Sequence, residues 1–286
     1  MPIEVRDVSL TYSEGTPFET CALKNVSFTI EDGEFLGIMG HTGCGKSTML
    51  QLIDGLIKPT EGKILLDGED INARDYDRTK LRSAVGYVFQ YPECQLFETT
   101  VEKDVAFGLK HSSLPKDEVA ERVKWALESV GFDYEKVRKK SPLGFSGGEK
   151  RRIAIAGILA TKPRFLILDE PIAGLDPLGR DAFMKLLKTL NGQGTTIIMV
   201  SHNADSIGEC TRRVLVFDHG VLVENGGTSE IFSDVEKMRS RHIGVSQSRE
   251  IAHLLKEKGL DITDKISRYD ELKDAVLEIL KGGEQL

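Results

Sequence analysis

The feature that most constrains this chain is the glycine-rich segment Gly40–Ser47, which fits the pattern GxxxxGK[ST]. It follows the short apolar segment Glu34–Met39 and opens Ser47–Leu56, whose apolar residues recur at helical spacing. A loop between a strand and a helix presents backbone N–H groups and the positive end of the helix, which together hold a phosphate. The pattern therefore predicts an α/β chain with a nucleotide site in this loop. The residues expected to contact the nucleotide are Gly40, His41, Thr42, Gly43, Cys44, Gly45, Lys46, Ser47 and Thr48.

Two side chains of this loop have specific expected roles. Lys46 is expected to reach the β- and γ-phosphates, and Ser47 is expected to offer its hydroxyl to Mg²⁺. The alternative is an accidental glycine turn, which the strand–loop–helix setting disfavours.

A second segment with candidate catalytic residues is Phe165–Glu170, an apolar strand that ends in two carboxylates. After a phosphate-binding loop, Asp169 is expected to hold Mg²⁺, and Glu170 is expected to orient and polarise an attacking water. The alternative for Glu170 is a carboxylate at a helix start that interacts with the helix dipole.

A third segment, Ser146-Gly147-Gly148, stands at the start of a predicted helix and can form another phosphate cradle. Because Gly40–Ser47 already serves the chain's own nucleotide, a second cradle suggests contact with a nucleotide bound to another molecule. An ordinary capped helix remains the alternative.

Hydrophobic periodicity divides the chain into regions. Val101–Lys140 is predicted to be an amphipathic helical insert, because apolar residues recur at intervals of three and four. From Ser146 onward, strands and helices alternate, which is typical of a mostly parallel sheet covered by helices. The expected domains are 1–229, with a helical insert at about 97–145, and a small C-terminal domain, 230–286, that serves dimerisation. Strands are predicted at Val5–Tyr12, Ala22–Ile30, Glu34–Met39, Lys63–Leu66, Ala84–Gln90, Phe165–Leu168, Thr195–Val200, Val214–Phe217 and Val221–Glu224, and later helices at Arg180–Leu190, Glu230–Met238, Ser248–Lys258 and Asp270–Lys281.

Composition narrows the function classes. A net charge of −7 argues against a dedicated nucleic-acid binder. No window approaches the roughly 20 apolar residues that span a bilayer, and the first ten residues are not those of a signal peptide. The four cysteines are far apart, which favours reduced thiols over a disulfide framework or a zinc site. We therefore expect a cytoplasmic chain whose link to a membrane is through a partner.

Taken together, the motifs resemble those of the ATP-binding-cassette (ABC) ATPases. Besides the segments above, Gln90 follows a strand, and Gly174-Leu175-Asp176 and Ser201-His202 occur in the order of that family. The likeness spans residues 3 to about 230. It implies a P-loop core with an N-terminal antiparallel part, ATP hydrolysis with Mg²⁺, and two ATPases that pair head to tail.

The resemblance implies roles that the residues alone do not. Tyr12 would stack on adenine, His202 would contact the γ-phosphate and hold Glu170, and Gln90 would contact Mg²⁺ and the attacking water. Without the family, Tyr12 would be assigned to the core, His202 to an ordinary loop and Gln90 to a strand end. Asp176 would cross the dimer interface, or otherwise cap a helix or turn. The implied Mg²⁺ ligands are Ser47, Gln90 and Asp169, and the implied contacts to the other chain's nucleotide are Ser146, Gly147 and Gly148.

The family's usual signature reads Leu-Ser-Gly-Gly-Gln, whereas Phe145 and Glu149 stand at its ends here. Ser146 and both glycines remain, so the cradle is expected to survive. Glu149 would place a carboxylate near the partner's nucleotide, where a neutral amide is usual.

Within the superfamily, Phe89–Phe97 and Asp104–Gly108 resemble the energy-coupling-factor (ECF) importers of vitamins and of cobalt or nickel. Gly15–Glu19, before Ala22-Leu23, resembles their second, A-prime ATPase. This implies a heterodimer with a sister ABC ATPase, or else a homodimer, bound to a transmembrane scaffold and a small substrate-binding membrane subunit. The chain would lie at the cytoplasmic face of the cell membrane as a peripheral subunit. Tyr91, Leu96 and Phe97 would either form a socket for the scaffold or belong to the core.

Three other functions share part of this pattern. A conventional ABC importer or exporter has the same catalytic motifs and differs in the Gln90–Gly108 region and the C-terminal domain. A soluble ABC protein of translation or DNA repair usually has two cassettes, long coiled coils or zinc inserts, none of which is visible here. A nucleotide sensor without hydrolysis is disfavoured by Glu170 and His202.

Overall fold

The computed structural model describes residues 2–110, 112–241, 243–263 and 265–283. They form two compact units, one made of the described residues up to Tyr76 together with those from Ile198 onward, and the other made of the described residues from Asp77 to Ile197. The strands are β1 (Ile3–Tyr12), β2 (Thr20–Ile30), β3 (Phe35–Met39), β4 (Glu61–Leu66), β5 (Glu69–Asp70), β6 (Val85–Val88), β7 (Phe165–Asp169), β8 (Thr196–Val200), β9 (Arg213–Asp218) and β10 (Val221–Gly227). The helices are α1 (Lys46–Ile53), α2 (Arg78–Ala84), α3 (Val101–Ala106), α4 (Lys116–Ser129), α5 (Tyr134–Val137), α6 (Gly147–Leu159), α7 (Pro177–Gly192), α8 (Ala204–Cys210), α9 (Thr228–Ser233), α10 (Val235–Ser240), α11 (Gln247–Glu257) and α12 (Tyr269–Gly283).

The first unit contains an antiparallel sheet in the order β2-β1-β4-β5. Its other strands include β3, which is buried along its whole length and pairs in parallel with β9. Strand β9 turns back into β10 through His219 and Gly220, and both of these residues have positive φ. This is the backbone of a two-residue hairpin, as the Asp218-His219-Gly220 sequence predicts.

The second unit contains the parallel pair β6–β7 and the helical insert. The glycine at position 86 lets helix α6 lie close to β6, because a Cβ there would be 2.7 Å from Ile158 Cγ2. Helices α3 and α4 pack on α6. The predicted insert is therefore helical, and its helices are α3, α4 and α5, with short 3-10 turns at Phe107–Leu109 and Pro142–Gly144.

The α/β class is confirmed, while some predicted boundaries are wrong. The strand predicted from Ala84 begins at Val85, because Ala84 ends α2. The single helix predicted over Glu230–Met238 is two helices, α9 and α10. Asp234 leaves the helical conformation between them (φ −95°, ψ 79°), and its side chain accepts from the Lys237 N–H to cap α10. The domain boundary at residue 230 stays a prediction.

Candidate nucleotide site

The loop between β3 and α1 contains three glycines with positive φ, and two of them are also closely packed. Gly40 has φ +150°, and a Cβ there would lie 2.4 Å from the Phe217 carbonyl oxygen. Gly45 has φ +103°, and its Cβ would lie 2.7 Å from the Ala22 carbonyl oxygen. Gly43 also has positive φ (+81°), but a Cβ there would meet nothing within 4 Å. The loop is thus packed tightly at its two ends and open at its centre, as a phosphate cradle must be.

The helix that follows this loop has a free positive end. Its N-cap residue is Gly45, which has no side chain that could accept a hydrogen bond from the first N–H groups of the helix. No acidic residue lies in the first turn of α1. The first N–H groups of the helix and its dipole are therefore suited to an external anion.

Lys46 is folded back across the loop. Its Nζ donates to the carbonyl oxygens of Gly40, at 2.7 Å, and His41, at 2.8 Å. The buried Sγ of Cys44 lies 3.6 Å from the same nitrogen. These contacts hold the ammonium group at the cradle, where it can bind phosphate oxygens.

Tyr12 and His202 also belong to the first unit. Tyr12 is 42% exposed at the end of β1, and its hydroxyl lies 3.4 Å from Thr48 Oγ1 on α1. The assignment of Tyr12 to the core is therefore wrong, while its stacking on adenine stays a prediction. His202 is exposed and follows β8 after the buried Ser201.

The paired carboxylates stand at the end of β7 in the second unit. Asp169 is buried, and its Oδ2 accepts a hydrogen bond from the Tyr87 hydroxyl at 3.4 Å. Glu170 follows with φ +50° and is half-buried. Because the next helix, α7, begins only at Pro177, the interpretation of Glu170 as a helix-start carboxylate is wrong.

Arg151 supports this loop, and sequence reasoning assigned it no such role. Its guanidinium is buried and donates to the Glu170 carbonyl oxygen at 2.8 Å and to the Ala173 carbonyl oxygen at 2.5 Å. Burial lowers the pKa of Arg151 from its ordinary value. The sequence shows only a basic residue in the first turns of α6. The carbonyls that Arg151 contacts lie about twenty residues further along the chain, so no local sequence pattern predicts the contact.

The second predicted cradle begins helix α6 as a capping box. The Ser146 hydroxyl donates to Glu149 Oε2 at 2.7 Å, and the Ser146 N–H donates to the same oxygen at 2.9 Å. These hydrogen bonds lower the pKa of Glu149. Gly147 and Gly148 are exposed, and a Cβ on either would meet nothing within 4 Å. The helix is thus capped from within the chain, while its first glycines face outward.

The remaining predicted residues of the second unit are on its surface. Asp176 caps α7 by accepting from the Gly179 N–H at 2.6 Å, as its sequence context allows. Gln90 is exposed just beyond β6. Tyr91 and Phe97 are 55% and 62% exposed, so they are not core residues. Phe97 packs edge-on against the exposed Phe107, with ring centroids 4.9 Å apart.

The structure thus assigns the predicted residues to two groups. The first unit holds the Gly40–Ser47 loop, Tyr12, Thr48 and His202, and the second holds Gln90, Ser146, Gly147, Gly148, Asp169, Glu170 and Asp176. In the part of the chain that the structure describes, no helix is long and apolar enough to cross a bilayer.

Comparison with known proteins gives consistent matches. The sequence model described as "ABC transporter" matches residues 23–173. The energy-coupling factor transporter ATP-binding protein EcfA2 of Clostridium perfringens is 43% identical over 283 residues, which cover 99% of each chain. EcfA2 of Symbiobacterium thermophilum is 45% identical over 282 residues, covering 99% of this chain and 98% of the relative.

Solved structures agree with the sequence matches. CbiO1 of Clostridium perfringens, described as part of the ABC transporter complex CbiONQ, is 37% identical with a TM-score of 0.73. The match covers 89% of this chain and 98% of that one. A dimeric ABC cassette, MJ0796, described in a post-hydrolysis state with ADP and Pi, is 32% identical with a TM-score of 0.70. That match covers 79% of this chain and 98% of the other.

Proposed function

Because this chain belongs to the ABC transporter family, and within it to the energy-coupling factor transporter ATP-binding proteins, we propose that it hydrolyses ATP to drive an ECF importer of vitamins or metal ions. The observation that carries the proposal is the Gly40–Ser47 loop. Its open centre, its uncapped helix and the ammonium of Lys46 meet the requirements of a triphosphate.

The proposed Mg²⁺ ligands are Ser47, Gln90 and Asp169. A hydroxyl, an amide oxygen and a carboxylate are the hard oxygen donors that Mg²⁺ prefers. Asp169 is the one buried side chain of the three, and the Tyr87 hydroxyl orients it. When bound, the ion would neutralise the charge that develops on the β- and γ-phosphates.

Chain residues then position the reaction. Glu170 orients and polarises the attacking water, and its backbone is fixed by Arg151. His202 contacts the γ-phosphate and holds Glu170, and Tyr12 stacks on adenine. Ser146, Gly147 and Gly148 complete the nucleotide site of the other chain, and Asp176 crosses the interface. The two ATPases close around two nucleotides, and the pair opens again when hydrolysis removes the γ-phosphate.

The proposed assembly contains a sister ABC ATPase, a transmembrane scaffold and a small substrate-binding membrane subunit. The chain would be peripheral at the cytoplasmic face of the membrane. Tyr91 and Phe97 support the scaffold contact, because two large exposed aromatic side chains lie close to Gln90 in the chain. Aromatic residues are enriched in the buried centres of protein interfaces.

The test is a gentle affinity purification from detergent-solubilised membranes of the native host, with co-purifying chains identified by mass. We expect a second cassette ATPase, one polytopic scaffold and one or more small membrane proteins. A conventional permease pair would overturn the ECF assignment and leave the catalytic assignments intact. Recovery in the soluble fraction without membrane chains would favour the soluble ABC alternative.

A further inference from the structure

Three side chains of metal-ligating type meet beside the nucleotide loop. They are His41 in the loop, Asp218 at the end of β9, and His219 in the turn to β10. Each offers one ligand atom, and these atoms lie within 4.8 Å of one another. The proposed function uses the backbone of His41 and leaves its imidazole, and the other two side chains, without a role.

The hydrogen bonds of His41 determine which of its nitrogens can bind a cation. Nδ1 lies 2.8 Å from the Thr42 carbonyl oxygen. A carbonyl can only accept, so Nδ1 carries the hydrogen and the Nε2 of a neutral ring presents a lone pair. That Nε2 lies 3.2 Å from Asp218 Oδ1, which is also an acceptor. Two facing acceptors at this distance require a proton or a metal ion to hold them together.

His219 places a third potential metal-ligand atom close to the other two. Its Nε2 lies 3.8 Å from the same Asp218 oxygen, and its ring centroid is 4.7 Å from that of His41. One proton can join a single donor–acceptor pair, whereas a metal ion can join all three. Ligands about 2.0–2.2 Å from a tetrahedral ion lie roughly 3.3–3.5 Å apart, so His219 has to move closer to the other two ligands.

The two segments that supply these ligands are held together by backbone contacts. The Gly220 N–H donates to the Cys44 carbonyl oxygen at 3.1 Å, and the Gly220 carbonyl oxygen accepts from the Lys24 N–H at 2.9 Å. The close approach of Gly40 to the Phe217 carbonyl adds a third constraint. The backbones that carry the three side chains are therefore fixed relative to each other before any ion binds.

From this geometry we infer that His41, Asp218 and His219 form a binding site for Zn²⁺ or a similar first-row divalent ion. Two imidazoles and one carboxylate are typical zinc ligands, and a ligating histidine commonly donates its other ring N–H to a backbone carbonyl, as His41 does. Mg²⁺ and Ca²⁺ prefer sites made of oxygen atoms. The side chain of His219 is 85% exposed, which leaves a fourth position to solvent. The inference is independent of the proposed ATPase function.

The test is calorimetric titration of the full-length, nucleotide-free protein with Zn²⁺, and with Co²⁺ while visible absorption is recorded. The exposed Cys21 and Cys94 are first replaced by serine, because surface thiols also bind Zn²⁺. We expect one ion per chain and the intense absorption of tetrahedral Co²⁺. His219→Ala and Asp218→Asn should each weaken binding by at least about tenfold.

A matched control is His253→Ala, which removes a histidine that faces Glu257 at 3.6 Å, in another part of the unit. It should bind Zn²⁺ like the parent protein. Zn²⁺ should also raise the thermal midpoint of the parent and not that of His219→Ala. Equal Zn²⁺ affinity of the parent and His219→Ala, or no binding at one equivalent, would overturn the inference.

Discussion

At the scale of single residues, the nucleotide loop depends on one ammonium group. Lys46 bonds two carbonyl oxygens of its own loop, so it is already oriented toward the cradle. Hydrogen bonds to charged groups contribute roughly 1.5–3 kcal/mol each. Two or more of them to phosphate oxygens would account for much of the nucleotide affinity.

We therefore expect Lys46→Ala to bind ATP at least about 100-fold more weakly than the parent protein, as measured by calorimetry. Lys63→Ala, which removes an exposed lysine from β4, is the control and should bind ATP normally. Unchanged affinity in Lys46→Ala would contradict the assignment of the loop.

Glu170→Gln should keep ATP binding and lose most turnover, by roughly 10²-fold or more, as expected for loss of a positioned base. The amide is nearly isosteric and leaves the carbonyl contact with Arg151 in place. Phosphate release by the purified complex measures turnover, and the exposed Glu121→Gln is the control. Hydrolysis at the parent rate would show that another group activates the water.

The loop residues could be identified from the sequence because their pattern is local and each glycine of the pattern has a positive φ that favours glycine. It also identified the family, and that expectation is confirmed. The role of Arg151 was missed, because its partners, Glu170 and Ala173, become neighbours only when α6 packs near the end of β7. The roles of Tyr12, Gln90, His202 and Asp176 came from the resemblance and stay predictions.

At the scale of elements, the end of helix α1 makes the stability of the chain depend on pH. Asp54 stands at the C-terminal end of α1, where the helix dipole disfavours a negative charge. Burial raises the pKa of Asp54 from 3.8 to about 7. Between these two values the folded chain keeps a proton that the unfolded chain has released, so the free energy of unfolding falls as pH rises.

Asp54→Asn should remove this dependence. We expect its thermal midpoint at pH 8 to exceed that of the parent by roughly 5 °C or more, and the difference to vanish near pH 4. Scanning calorimetry across this pH range measures both, with the exposed Asp75→Asn as a control. A midpoint difference that does not change with pH would contradict the raised pKa.

Arg151 on α6 should act on turnover more than on ATP affinity, because it holds the backbone of Glu170. We expect Arg151→Lys to lower kcat about tenfold or more with a smaller change in KM. A lysine ammonium cannot donate to the Glu170 and Ala173 carbonyl oxygens with the geometry of a guanidinium. Lys150→Ala, a neighbour on the same helix, is the control, and the thermal midpoint is measured for each variant. A folded Arg151→Lys with the parent kcat would contradict this role.

Strands β3, β7 and β8 were predicted to within one residue at each end, because each is a mostly apolar run whose residues are all buried. The break between α9 and α10 was missed because Asp234 fits helical spacing in the sequence. The Asp234 side chain instead accepts a hydrogen bond from the Lys237 N–H, and this cap starts a new helix, α10.

At the scale of the whole molecule, the C-terminal segment from residue 230 is packed into the first unit. Phe232 and Met238 are fully buried. Asp205 on α8 accepts from the Gln247 N–H at 2.6 Å, and Glu209 on α8 accepts from the Tyr269 N–H at 2.8 Å. This segment therefore contributes to the fold of that unit, in addition to any role in dimerisation.

Truncation after residue 229 should lower the free energy of unfolding by at least about 3–6 kcal/mol, because burial of each large apolar side chain contributes roughly 1.5–3 kcal/mol. Urea unfolding followed by circular dichroism measures the change. Truncation after residue 258, which removes α12 and leaves α9, α10 and α11, should cost less. An unchanged urea midpoint after truncation at residue 229 would mean that residues 230–286 do not stabilise the rest of the first unit.

The buried thiol of the nucleotide loop has a consequence for chemical damage. Cys44 has no exposed surface, while Cys21 and Cys94 are exposed. Electrophiles and peroxides that reach the folded chain will therefore modify its surface thiols first, since accessibility governs thiol modification. The loop proposed to bind ATP should therefore keep its thiol unmodified while the surface thiols are oxidised.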